Sequence, residues 1–65
     1  MDKIGQALMG IDQEIDFINM QLQDLFRERG SIPWRIFTEE YKELTEYKKD
    51  LYEARDTIEA FRMLE

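Results

Sequence analysis

Arg29-Gly30-Ser31-Ile32-Pro33 is the one interruption in an otherwise heptad-patterned chain of 65 residues, and its reading decides the fold. Gly30 suits the left-handed residue that commonly ends a helix, with Arg27 and Arg29 in the last turn facing the negative end of the helix dipole. Ser31 can cap the next helix, and Pro33 is tolerated in a first helical turn. Thr38, followed by Glu39 and Glu40, is a second possible cap. The second helix is therefore expected to start near Ser31, or alternatively at Thr38 after a short turn containing Trp34 to Phe37.

Before the interruption, Ile4, Leu8, Ile11, Ile15, Ile18, Leu22 and Leu25 alternate steps of four and three, the seam of a coiled coil or helix bundle. Arg29 takes the next seam position and ends the stripe. Gly5 and Gly10 each weaken a helix by about 1 kcal/mol relative to Ala, so the first ten residues fray or helix 1 begins near Gly10. After the interruption, Phe37, Leu44, Leu51 and Ile58 are spaced seven apart, with Tyr41, Tyr47, Ala54 and Phe61 filling the complementary positions. Surface pairs are expected between Glu39 and Lys42, Glu46 and Lys49, and Glu59 and Arg62.

The pattern predicts one all-α domain over residues 1–65: helix 1 over about 3–29, a turn at 30–33, helix 2 over about 34–63. A turn this short makes the helices antiparallel neighbours. A chain of this size buries little surface and usually needs a staple. Zero Cys and zero His remove disulfides and the usual zinc ligand sets, which leaves oligomerisation. The expected closure is a homodimer, two hairpins forming a four-helix bundle around Ile11, Ile15, Ile18, Leu22, Leu25, Phe37, Leu44, Leu51 and Ile58.

Fifteen acidic and nine basic residues give a net charge of −6, which argues against nucleic acid and anionic membrane surfaces as partners and permits a basic protein. No apolar run reaches membrane-spanning length, Met1-Asp2-Lys3 opens no signal-peptide core, and a cytoplasmic location is expected. The chemistry of catalysis is missing. Ser31 is the only serine and has no histidine to activate it, and the three glycines are isolated. The acid pairs Asp12 and Asp16, Glu39 and Glu43, and Glu46 and Asp50 fall mostly outside the seams and read as solvated faces. No enzyme, no cofactor and no metal site is expected.

Two features exceed what folding requires. Met9, Phe17 and Met20 point roughly opposite the Ile4–Leu25 seam, on a face that should be polar in a simple dimer. They read as scattered surface hydrophobics, as packing under the N-terminal turn or against a third subunit, or as adaptable anchors in a partner-binding face. Arg27, Arg29, Trp34 and Arg35 lie within nine residues around the turn. They read as dipole complement and bundle end, or as an anion or nucleotide site.

Ile15-Asp16-Phe17-Ile18-Asn19-Met20-Gln21-Leu22-Gln23-Asp24-Leu25-Phe26-Arg27 resembles the first helix of all-α chorismate mutases, without the second basic helix their site needs. The hairpin plan is similar to plasmid repressor-of-primer proteins, which imply RNA binding through a basic face that this acidic chain does not have. It is also similar to small hairpin phosphatases of response regulators in sporulating bacteria. Their Ser-Gln-Glu-Leu-Asp motif is absent here, the nearest stretch being Thr38-Glu39-Glu40-Tyr41-Lys42. No activity carries over from these likenesses. The expected function is a non-enzymatic interaction or regulatory module, of a kind that bacteria, plasmids or phages encode. It would act as a homo-oligomeric bundle that binds and modulates another macromolecule, expected to be a protein, through Met9, Phe17 and Met20. The alternatives are an anionic-ligand binder built on the Arg/Trp turn and a structural assembly piece.

Overall fold

A computed structural model describes residues 2–64 and consists of two helices, α1 (Lys3–Glu28) and α2 (Trp34–Met63), packed against each other as a hairpin. Helix α1 does not wait for Gly10. Asp2 caps it, its Oδ1 accepting from the Ile4 amide at 3.0 Å while its carbonyl accepts from Gln6 N at 3.1 Å. The cap holds the first turn, so Gly5 and Gly10 sit inside a continuous helix.

The turn departs from the sequence-based expectation at two residues. Gly30 has no positive φ, and Arg29 before it stays right-handed at φ −55°, ψ −29°. The chain tightens instead: Arg29 N donates to Phe26 O at 3.4 Å and Ser31 N to Glu28 O at 2.8 Å, three-residue bonds that satisfy carbonyls of the last turn. Ser31 does not cap α2. The residue before a proline is driven out of the helical region, so no helix can run from Ser31 through Ile32 into Pro33. Pro33 itself takes the cap position at φ −58°, ψ 141°, and its carbonyl accepts the first helical bond, from Phe37 N at 3.0 Å. Thr38 lies inside the helix, its hydroxyl donating to Arg35 O at 2.9 Å.

The core is short of residues. Leu8, Ile15, Ile18 and Leu25 of α1 and Phe37 of α2 are buried, whereas Ile4, Ile11, Leu22, Leu44, Leu51 and Ile58 are only half-buried. A single neighbouring helix covers one side of each apolar stripe and leaves the other open. The Cα trace measures 49 × 17 × 10 Å, one helix thick, with a radius of gyration of 15.1 Å. A globular chain of this length would have a radius near 11 Å. The hairpin is a single layer.

The two broad faces of that layer differ. On one, Arg55 Nε faces Asp12 Oδ1 at 3.3 Å across the helices and Glu59 Oε1 at 3.6 Å along its own, and Arg62 reaches Asp2 at 3.8 Å. Glu59 thus takes Arg55, not the Arg62 expected from spacing. The row of α2 on this bridged face reads Tyr41, Lys48, Arg55, Arg62, with Lys48 and Arg55 half-buried. Tyr47, Ala54 and Phe61, expected to complete the seam towards α1, lie on the other face and are exposed.

Candidate functional site

Helix α1 keeps its seam against α2 and turns Met9, Phe17 and Met20 outward. They are 61%, 54% and 63% exposed. At 100° per residue the three fall within an arc of about 80°, with Met9 and Phe17 some 12 Å apart along the axis. They form one elongated strip interrupted by Gln13, Asp16 and Asp24. Met9 also borders a shallow depression with Leu8, Asp12, Gln13, Asp16 and Arg55. Flexible thioethers beside a phenyl ring make a surface that adapts to a partner's shape.

The turn places its four residues near one another without converging them. Arg27 faces Asp24 at 3.7 Å and Arg35 faces Glu39 at 3.6 Å, each pair on its own helix and well exposed. Trp34, 73% exposed, stacks on Phe37 with ring centroids 5.4 Å apart. Phe37 in turn meets Phe26 edge-on at 5.4 Å and stacks with Tyr41 at 6.2 Å, and Phe26 meets Tyr41 edge-on at 5.7 Å. Four rings therefore close the turn end of the hairpin, each contact adding about 0.5–1.5 kcal/mol beyond its area. The role of Phe26 was missed in the sequence. Its adjacency to the seam residue Leu25, one turn before the Arg29 stop, was the available signal.

On the face opposite the cross-helix ion pairs two open grooves run between the helices. The one near the turn, about 610 Å³, has Leu25, Leu44 and Tyr47 at its base and Asp24, Glu28, Glu40 and Glu43 at its rim. The one near the termini, about 530 Å³, is lined by Lys3, Ile4, Ala7, Ile58, Phe61 and Leu64. Between them Tyr47 Oη lies 3.5 Å from Glu14 Oε2. Among the described residues no group of three or more His, Cys, Asp or Glu is gathered as metal ligands, and no helix is long and apolar enough to cross a membrane. Compared with known protein families, with curated proteins and with solved structures, the chain matches none.

Proposed function

We propose that the chain is a non-enzymatic interaction module that self-associates into a helical bundle and binds and modulates another macromolecule through the outer strip of α1. The observation that carries this reading is the exposure of Met9, Phe17 and Met20 on the side of α1 away from its own core. Bundle packing with α2 needs none of the three. Met9→Glu combined with Met20→Glu is expected to leave helicity and oligomer mass unchanged and to abolish capture of the partner that the native chain retains in a pull-down. Dissociation of the oligomer by this pair of changes would assign the strip to self-association and end the reading.

A second reading, an anionic small-ligand binder, is favoured by one observation. The first turn of α2 has no side-chain cap, so the amides of Trp34, Arg35 and Ile36 lack helical acceptors beside an exposed indole. Trp34 is the sole tryptophan, so its fluorescence reports directly on the turn. Titration with nucleotides and cyclic dinucleotides that leaves its emission unchanged rules this reading out.

A further inference from the structure

We infer that the face of the hairpin opposite its cross-helix ion pairs is covered by a second copy of this chain, running antiparallel, with α1 against α1 and α2 against α2. The inference rests on the reading of the chain as self-associating and adds which face is used and in which direction.

Three observations select a second copy. The hairpin exposes 5449 Å². A folded monomer of its 7.9 kDa mass exposes about 4,400 Å² by the usual scaling of area with mass. The excess, roughly 1,000 Å², is what one partner contributes to a stable interface of ordinary size. Second, the layer is one helix thick, and a domain core needs two layers. Third, the apolar rows of α2 that belong to a bundle seam open on this face: Leu44, Leu51 and Ile58 half-buried, Tyr47, Ala54 and Phe61 exposed. The opposite face presents Lys48, Arg55 and Arg62 in the corresponding row and is already spanned by ion pairs.

Charge selects the direction. Acids rim the groove near the turn, while the groove near the termini carries Lys3 and no acid. A two-fold axis parallel to the helices would lay α1 of one copy on α2 of the other at equal height, setting Asp24 and Glu28 against Glu40 and Glu43. A two-fold axis across the helices, passing near Glu14, lays each helix on its own counterpart reversed. Lys3 then approaches the turn-end acids Asp24 and Glu28 of the second copy. Phe61 approaches Ile36, which is exposed one turn before Glu40 on the same side of α2. The turn-end acids separate and apolar ends meet, and the two Glu14 carboxylates that flank the axis each lie beside Tyr47 Oη of their own chain.

The chain has no cysteine, so introduced thiols are unique. Sedimentation of the native chain is expected to give twice the single-chain mass. Under mild oxidation, a mixture of Ala7→Cys and Gln21→Cys chains is expected to yield disulfide-linked pairs containing one of each. These positions lie on one side of α1, equidistant in sequence from Glu14. A mixture of Ala7→Cys and Ala54→Cys chains, neighbours only in the parallel arrangement, is expected to yield none. A dimer that links in the second mixture, or in neither, overturns the inference and leaves self-association standing. A native chain that sediments as a monomer overturns both. Helicity measured on each single variant ensures that failure to link is not failure to fold.

Discussion

At the residue scale, small atoms at the start of α1 and in the turn set the outcome. Asp2 caps α1 with one carboxylate oxygen and meets Arg62 with the other. Asp2→Ala is expected to cost about 1 kcal/mol, read from the urea midpoint at fixed protein concentration. A Cβ on Gly10 meets nothing within 4 Å, whereas one on Gly5 comes within 3.1 Å of Asp2 Oδ2. Gly10→Ala should therefore raise stability by up to about 1 kcal/mol, and Gly5→Ala by distinctly less, in the same measurement. Gly30→Ala should also be tolerated, because Gly30 has no positive φ and open space around it. A melting temperature lowered by Gly30→Ala would contradict the turn geometry. A glycine after a basic last turn looks like a left-handed cap in sequence; here the last carbonyls are met instead by the three-residue bonds from Arg29 N and Ser31 N.

At the scale of elements, the two helices are held unequally along their length. Near the turn, Phe37 is buried beneath Trp34, Phe26 and Tyr41. Near the termini, the links across the helices are the partly exposed pairs Arg55–Asp12 and Arg62–Asp2. Phe37→Ala removes the only buried side chain among the described residues of α2 and is expected to cost about 3–5 kcal/mol. For so small a chain that is enough to unfold most of the population, visible as lost helicity in circular dichroism. Arg55→Ala should cost no more than about 1 kcal/mol, since solvent screens a pair whose members are 39% and 50% exposed. Both helices were legible from seven regularly spaced residues in α1 and four in α2. The aromatic closure was not, because Phe26, Trp34 and Tyr41 come from three separate places in the sequence and no spacing rule joins them.

At the scale of the whole molecule, a one-layer hairpin with half-buried seams should gain its stability from association. The melting temperature of the native chain is expected to rise with protein concentration. Phe61→Glu places a charge in the apolar end of the proposed interface and should weaken dimerisation by roughly 30-fold or more, measured by sedimentation equilibrium. A melting temperature independent of concentration in both proteins would show that the hairpin is sufficient alone. The chain's sequence by itself determined that two helices form and where they separate, since 3.6-residue periodicity and a proline act locally. It also placed Met9, Phe17 and Met20 opposite the seam of α1, because that is a matter of angle around one helix. Only the tertiary structure decided which rows of α2 face α1. Lys48 and Arg55 border the contact on one flank, where Asp12 and Asp2 meet Arg55 and Arg62, while Tyr47, Ala54 and Phe61 border it on the other and stay exposed, because helices that touch along one line bury neither flank. That arrangement leaves an apolar flank uncovered, and the reversal is a tightened turn ending in Pro33 in place of a left-handed Gly30.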